Sequence, residues 1–428
     1  MLTMPLAKER FMGLEWLRFI LGCYVMIYHT AHGYPQIKQL WGLSELTSMG
    51  FFATSTFFIL SGFLLAHVYV RGSTLREPAN HFWCKRFFNL YPIHIMALLA
   101  SVLAVGYMHL LAVTPESATF SMRFVIYDTH ESLAQTHPEI FRHLMDNTQL
   151  AFNIFLQLFM LQAWNPYFLT FNAPLWSLSA LFFFYLVFPW VAPRLMSVRR
   201  YGLWMLLIWA VYLIPPCIAV LTNHYGMPTT GLLQRGPLLR LPEFLAGILA
   251  YRFFLERHRD NFQLTALQKT ILFIAISSGF LLATYLFTHG GKNYWYYLLH
   301  NGLLLPIQMS LLYLCAHIKA PSQPWLQRWL PRLGGASLPI FAFHIPLFTI
   351  WGTTDRWLRG APLACIKGDH LHCMTAGSAV TPSILSYLMF LGTTVIFAVL
   401  FQERIVVPLR RRLQKRYLKS ASSASPMQ

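Results

Sequence analysis

Charged side chains are scarce in this sequence, and acidic ones are the scarcest. Only 15 of the 428 residues are Asp or Glu, and all charged residues together make up 11% of the chain, whereas soluble domains carry about 25%. At the same time, 56% of the residues are hydrophobic. A water-soluble fold of this length could not hide so much apolar surface, and a disordered chain would need the opposite composition. The chain is therefore expected to cross a membrane several times.

The sequence also lacks the short motifs that mark common cofactor sites. It contains no P-loop, no GxGxxG turn, no C-x-x-C pair and no spacing typical of metal ligands. We therefore expect no permanently bound cofactor and no metal. The net charge of +18 comes from basic residues in short clusters between apolar runs, which is typical of the cytoplasmic loops of membrane proteins. Nucleic-acid binding is not expected.

Ten apolar stretches are long enough for transmembrane helices, which need about 20 residues. They lie near 12–32, 47–69, 90–112, 174–192, 202–222, 237–255, 268–287, 297–317, 336–352 and 383–402. A further apolar segment, 151–163, is too short to cross. With a cytoplasmic N-terminus, most of the 33 basic residues fall on the cytoplasmic side, and counting 151–163 as a span breaks this pattern. We predict an all-α polytopic membrane bundle of about ten transmembrane helices, with both termini cytoplasmic and 151–163 re-entrant or interfacial.

The predicted spans form one transmembrane domain over 1–419. The Ser- and Ala-rich residues 420–428 are expected to be a disordered tail. A long loop on the predicted outer side, 353–382, holds Cys365 and Cys373. In this topology both cysteines would face an oxidising compartment, so we predict a disulfide between them. Two free surface thiols are the alternative.

The first predicted span carries ionisable side chains, which are costly inside a membrane and indicate function by default. Arg18 and His29 are 11 residues apart, which places them on one helix face and separates them by about 16 Å along the axis. A cation and a titratable base on one face predict a polar path through the bundle. The alternative is that Arg18 only pairs with Glu15 and that His29 marks the outer interface.

Two further segments are weak signals when each is taken alone. Ser61-Gly62 would let two helices approach closely, which is an ordinary packing role. Lys85 and Arg86 lie just before the third predicted span, where cations at a cytoplasmic helix N-terminus could hold a phosphorylated donor. The alternative for these two residues is the usual excess of positive charge on the inner side.

Taken in order, these segments resemble the acyltransferase-3 family, integral membrane proteins that O-acylate glycans. The resemblance extends from about Phe11 to Phe401 and covers nearly the whole chain. The motifs that carry it are a basic residue followed after ten positions by histidine (Arg18, His29), F-F-x-x-S-G-F (Phe57 to Phe63), R-x-x-R before Y-P (Arg86, Asn89, Tyr91-Pro92), N-x-P-L-W-S-L-S-x-E (from Asn172), R-x-x-E-F-x-x-G (Arg240, Glu243, Phe244, Gly247) and a late histidine helix (Ser337 to His344).

The sequence departs from the family pattern in two places. Asn89 stands at the second arginine of R-x-x-R, which leaves Arg86 with Lys85 as the candidates for binding the donor phosphate. Apolar residues, Ala180 and Leu181, occupy the stretch where the family has a glutamate. That change removes an acidic group whose role Glu243 could take over.

The resemblance implies an enzyme that moves an acyl group, most simply acetyl, from cytoplasmic acyl-CoA to a hydroxyl of an extracytoplasmic glycan such as a surface polysaccharide or lipopolysaccharide. It implies that Arg86 and Lys85 bind the CoA phosphates and that the pantetheine arm passes Arg18. His29 would act as a general base or as a transient acyl carrier. The residues expected to line the acceptor cavity are Trp176, Ser177, Arg240, Glu243 and His344.

The resemblance also implies the bacterial inner membrane as the location. A glycan or lipid transporter is a different reading of the same buried charges, with Arg18, Glu243 and His29 as coupling groups. It predicts a matched pair of broken helices in two related halves, and the sequence shows no such halves. A non-catalytic binding module is the other alternative, and binding of acyl-CoA would argue against both. The acceptor hydroxyl, the acyl chain length and the oligomeric state stay open.

Overall fold

The computed structural model describes residues 11–40, 42–111, 125–126, 146–167, 169–260, 262–291 and 293–423. This part of the chain is almost entirely helical. The helices of the first half are α1 (Met12–Thr30), α2 (Pro35–Lys38), α3 (Leu43–Leu46), α4 (Gly50–Tyr69), α5 (Ala79–Leu110), α6 (Asn147–Leu158), α7 (Trp176–Ser197) and α8 (Tyr201–Leu221). Those of the second half are α9 (Thr229–Arg235), α10 (Pro237–Arg259), α11 (Ala266–His289), α12 (Asn293–His300), α13 (Leu305–Ala316), α14 (Pro324–Arg359), α15 (Pro362–Ile366), α16 (His370–Ala379), α17 (Ile384–Phe401) and α18 (Val407–Ser423).

Short turns and ribbons connect these helices. Two antiparallel ribbons pair β1 (Val70–Arg71) with β2 (Thr74–Leu75) and β3 (Val125–Ile126) with β4 (Leu169–Thr170). A turn of π-helix joins α17 to α18. The other short elements are the 3-10 turns Ala31–Gly33, Gln162–Trp164 and Ala173–Leu175, and the π turn Gln402–Val406.

Eight helical stretches of the described chain are long and apolar enough to cross a membrane, and they coincide with eight of the ten predicted spans. The other two predicted spans are α1 and α10, helices of 19 and 23 residues. Both are interrupted by charges, Glu15 and Arg18 in α1 and Arg240 and Glu243 in α10, which lower their hydropathy. The predicted all-α polytopic bundle is confirmed. The cytoplasmic position of the termini stays a prediction, and α18 extends through the first residues of the predicted tail to Ser423.

The short segment 151–163 does not form a spanning helix, since α6 ends after 12 residues. Polar contacts attach it to α5 and to β4. His94 of α5 donates from Nε2 to the Gln157 carbonyl at 2.8 Å, and Gln157 Nε2 donates to the Thr170 carbonyl at 3.1 Å. Both His94 and Gln157 are buried. The re-entrant or interfacial position of the segment stays a prediction.

The helix of the span predicted over 297–317 is interrupted between α12 and α13. Gly302 has a φ of +99°, a left-handed conformation that ends helices and favours glycine. The carbonyls at the break need donors from outside the helix. Trp209 Nε1 donates to the Gly302 carbonyl at 2.8 Å, and Arg240 Nη1 donates to the His300 carbonyl at 2.6 Å.

A proline inside α7 leaves another backbone carbonyl without its helical hydrogen-bond donor. Pro189 has no N–H to give to the Tyr185 carbonyl four residues earlier. The indole Nε1 of Trp83 on α5 donates to that carbonyl at 3.1 Å. This contact fixes α5 at one position along α7.

Two glycines let α4 and α10 pack at backbone distance. A Cβ at Gly62 would lie 2.1 Å from the Phe244 carbonyl oxygen, and one at Gly247 would lie 1.9 Å from the Ile59 carbonyl oxygen. The hydroxyl of Ser61 donates to the Phe57 carbonyl of its own helix, so it takes no part in the contact between α4 and α10. The close approach expected at Ser61-Gly62 is therefore found between α4 and α10.

Replacing Gly247 with alanine is expected to lower the thermal stability of the purified protein. The new methyl group must push α4 and α10 apart, and such overpacking costs about 1–3 kcal/mol. Gly202→Ala is the matched control, since Gly202 is also helical and a Cβ there meets no atom within 4 Å. Alanine at that position should not lower the thermal stability. Equal melting temperatures for the two variants would contradict the packing role of Gly247.

Candidate active site

Two histidines from different helices meet where α1 ends. His29 lies in the last turn of α1, and His344 lies inside α14. Their ring centroids are 5.3 Å apart, and the ring planes differ by 24°. The two helices approach closely because Gly22 has no side chain, and a Cβ there would lie 3.2 Å from the Ser337 carbonyl oxygen. We term this pair the histidine site.

The two imidazoles differ in their surroundings. His344 is fully buried, and its Nδ1 donates to the Ile340 carbonyl at 3.1 Å. Its Nε2 is buried and has no hydrogen-bond partner among the described residues. His29 is partly exposed. Because buried polar atoms normally have partners, the histidine site has unused capacity for a polar ligand or water beside an accessible imidazole.

Asn172 attaches the segment before α7 to the helix of His344. Pro346 has no N–H, so the Ala342 carbonyl four residues earlier lacks its usual helical partner. Asn172 Nδ2 donates to that carbonyl at 2.9 Å. Its other amide atom, Oδ1, is buried and unpartnered within the described chain. Asn172 therefore places a second unpartnered polar atom, its Oδ1, next to α14.

Trp176 and Ser177 open helix α7. The Trp176 ring is partly buried and lies edge-on to Phe58, with centroids 6.0 Å apart. Ser177 is buried, and its hydroxyl donates to the Pro174 carbonyl at 3.0 Å. The hydroxyl of Ser177 is thus occupied by local structure, while Trp176 keeps part of its ring accessible. Their assignment to the acceptor cavity stays a prediction.

Arg240 and Glu243 form a buried ion pair. Both are 1% exposed, and Arg240 Nη2 lies 2.9 Å from Glu243 Oε1. Arg240 also donates to Ser55 Oγ at 2.6 Å, and Tyr212 donates its hydroxyl to Glu243 Oε1 at 2.8 Å. With the bond to the His300 carbonyl described above, Arg240 joins α10 to the break between α12 and α13. The contacts support a structural role, and the cavity-lining role expected for both residues stays a prediction.

Helix α4 runs antiparallel to α1 and defines the side opposite the histidine site. Phe11, just before α1, contacts His67 near the end of α4, with ring centroids 4.9 Å apart. At the other end, Gly50 packs against the Tyr28 ring. Tyr69, the last residue of α4, therefore lies about the length of α1 away from the histidine site.

Arg86 lies beside Tyr69 and has no described acidic partner. It donates from Nη2 to the Tyr69 hydroxyl, and its guanidinium carbon lies 4.5 Å from the centre of the Tyr69 ring. Its Nε is buried and has no partner in the described part of the chain. Lys85, in contrast, forms an ion pair with Glu77. Of the two cations predicted to bind a donor, Arg86 is the one whose charge is not already neutralised, and we term Arg86 and Tyr69 the basic site.

Arg18 and Tyr185 lie near the basic site. Arg18 Nη1 is 3.4 Å from Glu15 Oε2, and the two side chains are 27% and 23% exposed. The pairing with Glu15 is therefore present, but it is long and partly open. Tyr185 interacts electrostatically with both Arg18 and Arg86, which shows that the two cations share one neighbourhood.

Sequence reasoning missed Tyr69 and Tyr185. Both are aromatic residues at helix positions that composition cannot distinguish from ordinary packing. The one signal for Tyr185 is its position one helical turn after Leu181, where the family glutamate is absent.

The predicted cysteine pair lies beyond the far end of α14. Cys365 and Cys373 are joined by a disulfide, with their Cα atoms 5.4 Å apart. Both sulfur-bearing residues are buried between α15 and α16. The disulfide holds together the loop that the sequence places on the outer side.

Comparison with known proteins adds to this geometry. A family model described as an acyltransferase domain matches residues 12–403, which include both the histidine site and the basic site. The chain belongs to the acyltransferase-3 family. The family predicted from the motifs is confirmed, although Asn89 and Leu181 depart from its pattern.

One curated relative of this acyltransferase-3 member is the acyltransferase MdmB of Streptomyces mycarofaciens, which is 27% identical over 266 residues. The match covers 58% of this chain and 58% of the relative, less than two thirds of either. No solved structure matches the chain.

Proposed function

We propose that this protein is a membrane acyltransferase that moves an acyl group, most simply acetyl, from acyl-CoA at the basic site to a hydroxyl of a glycan at the histidine site. Membership of the acyltransferase-3 family supports the reaction class. The observation that carries the proposal is that the two sites lie near the two ends of α1. Arg86 offers an unneutralised cation near the start of α1, and His29 offers an accessible imidazole at its end.

The distance between the two sites fits a long, thin donor. Arg18 and His29 lie about 16 Å apart along α1. A pantetheine arm would extend past Arg18 from phosphates held by Arg86, so that its thioester approaches His29. The Glu15–Arg18 contact is long enough for Arg18 to turn towards such a ligand. Lys85 would add a second, weaker attraction for the phosphates, because Glu77 already pairs with it.

At the histidine site, His29 acts as the general base. Its imidazole takes the proton of the acceptor hydroxyl while the hydroxyl oxygen attacks the thioester carbonyl. The new carbon–oxygen ester bond forms, the carbon–sulfur bond breaks, and the proton passes from the imidazole to the leaving thiolate of CoA. An imidazole suits this exchange because its ring nitrogen can take up a proton and release it again. Formation of an acyl-imidazole on His29 is the other route open to the same group.

The acceptor is a glycan hydroxyl presented from the side of the disulfide loop. Trp176 has a partly accessible ring that can stack on a sugar face, and Asn172 Oδ1 and His344 Nε2 are buried atoms able to bond hydroxyl groups. Arg240 and Glu243 would shape this cavity from behind Phe58. A surface polysaccharide or lipopolysaccharide of a bacterial inner-membrane pathway fits a cytoplasmic donor and an outer acceptor.

The break between α12 and α13 does not favour the transporter alternative. Its carbonyls are bonded by Trp209 and Arg240, which hold the break closed with protein groups. A substrate or ion site at a broken helix would instead use such carbonyls as ligands.

The test is titration of the purified protein with acetyl-CoA by calorimetry. We expect saturable binding that Arg86→Ala weakens by about tenfold or more, because a charge-assisted hydrogen bond contributes about 1.5–3 kcal/mol. Arg71→Ala is the matched control, since Arg71 is a nearby exposed arginine. His29→Ala should bind acetyl-CoA as the wild type does. If the folded wild-type protein binds no acyl-CoA of any chain length, the proposal fails and a transporter or binding module takes its place.

A further inference from the structure

The last helix of the chain returns to the basic site. Helix α18 packs against α5, where Arg410 Nη1 donates to Asn89 Oδ1 at 2.8 Å. Asn89 lies one turn after Arg86 on α5 and stands where the family motif has its second arginine. The asparagine therefore does not leave a gap, because a guanidinium from another helix is bonded to it.

Three contacts hold α18 in this position. At the π turn before it, Arg332 of α14 binds both carboxylate oxygens of Glu403, at 2.5 and 2.8 Å. Val406 is buried in the core at 1% exposure. Further along, the rings of Tyr417 and Phe88 lie 5.1 Å apart. Contacts other than the one between Arg410 and Asn89 therefore also hold α18 against the bundle. Single π turns inside helices are frequent at functional sites.

The docking brings two positive charges together. The guanidinium groups of Arg410 and Arg86 interact unfavourably, and no carboxylate among the described residues forms an ion pair with either. Each is partly buried, so water screens the repulsion only in part. Two neighbouring cations that have no acidic partner in the described part of the chain form a site that an anion would stabilise. Phosphate oxygens match guanidinium donors in geometry.

We propose that Arg410 joins Arg86 in binding the phosphates of the CoA donor, with Asn89 as a positioning residue that directs the Arg410 guanidinium into the basic site. This inference rests on the proposed function, because it takes the anion to be acyl-CoA. Of the other cations of α18, Arg411, Arg412 and Arg416 are exposed. They are suited to the lipid headgroups of the membrane surface and not to the basic site.

The experiment measures acetyl-CoA affinity by calorimetry for the wild type, Arg410→Ala, Asn89→Leu and the matched control Arg412→Ala from the same helix. Arg410→Ala is expected to weaken binding about tenfold, Asn89→Leu by a smaller factor, and Arg412→Ala not at all. Pantetheine, which has no phosphates, should bind wild type and Arg410→Ala equally. That arm separates a loss of phosphate contacts from a general disturbance of the site.

A rescue variant keeps the inference falsifiable if Arg410→Ala lowers stability. The double variant Asn89→Arg/Arg410→Ala moves the second cation onto α5 and should recover most of the lost affinity. If Arg410→Ala binds acetyl-CoA like the wild type while Arg86→Ala does not, the proposed function stands and this inference is wrong. If Arg412→Ala weakens binding as much as Arg410→Ala, the helix acts through general surface charge and the inference is also wrong. If the wild type binds no acyl-CoA, both proposals fail.

Discussion

Replacing His29 with glutamine is expected to lower the rate of acyl transfer by about 10²–10⁴-fold, the usual contribution of a general base. Glutamine keeps a polar side chain of similar size beside His344, so the fold and the packing of α1 on α14 should persist. The acceptor hydroxyl would keep its proton at this position, because the amide of glutamine cannot act as a base. The measurement is transfer of labelled acetyl from acetyl-CoA to a glycan acceptor in membranes containing each variant.

The comparison variant for His29 is His289→Gln. His289 ends α11, is exposed and stacks on Tyr285, so its loss should leave transfer unchanged. Calorimetry on the same preparations separates chemistry from binding, since His29→Gln should retain the affinity for acetyl-CoA. A His29→Gln protein that transfers acetyl at the wild-type rate would exclude His29 as base and as acyl carrier.

The second large effect is expected at the buried ion pair of α10. Removing one partner alone, as in Arg240→Leu or Glu243→Leu, leaves the other charge without a counter-charge in the core. Such a loss is strongly destabilising, by about 3–5 kcal/mol. Arg240→Leu should be the worse of the two, because it also removes the donor to the His300 carbonyl at the helix break. Thermal unfolding in detergent and the yield of folded protein measure both effects.

The same helix supplies the control for this pair. Arg252 and Glu256 are an i,i+4 pair at 2.6 Å with side chains 19% and 29% exposed, and exposed pairs contribute about 1 kcal/mol or less. Arg252→Leu should therefore change stability little. The double variant Arg240→Leu/Glu243→Leu should be more stable than either single variant, because it leaves no unpaired charge. Full folded yield with lost transfer activity in Arg240→Leu would point instead to a role in the acceptor cavity.

The helices of this protein could be predicted from sequence because their cause is local. A run of about 20 apolar residues must satisfy its own backbone hydrogen bonds in lipid, and only a helix does so within one segment. The break after α12 was not predicted because Gly302 lies in an apolar run, and hydropathy carries no information about backbone conformation. The donors that stabilise the break, Trp209 and Arg240, come from two other helices.

The candidate sites were predictable only in part. The spacing of Arg18 and His29 predicted that they share one face of a helix. It did not predict that His29 stacks on His344, which lies in a distant part of the chain. Spacing within one helix is a local property, whereas the meeting of α1 and α14 depends on packing at Gly22. The Arg410 contact with Asn89 is non-local for the same reason, so the departure at Asn89 could be seen in the sequence and its compensation could not.

The carbonyls that proline leaves without a helical donor in α7 and α14 affect how the protein assembles in the membrane. An unpaired carbonyl in lipid is costly, yet each of these helices must enter the membrane with one. Trp83 precedes Tyr185 in the chain, and Asn172 precedes Ala342. Since synthesis proceeds from the N-terminus, each donor is already in place when its helix arrives. The later helix can therefore pair its free carbonyl only by packing at the position of that donor. The order of translation thus helps to set the order in which the helices assemble.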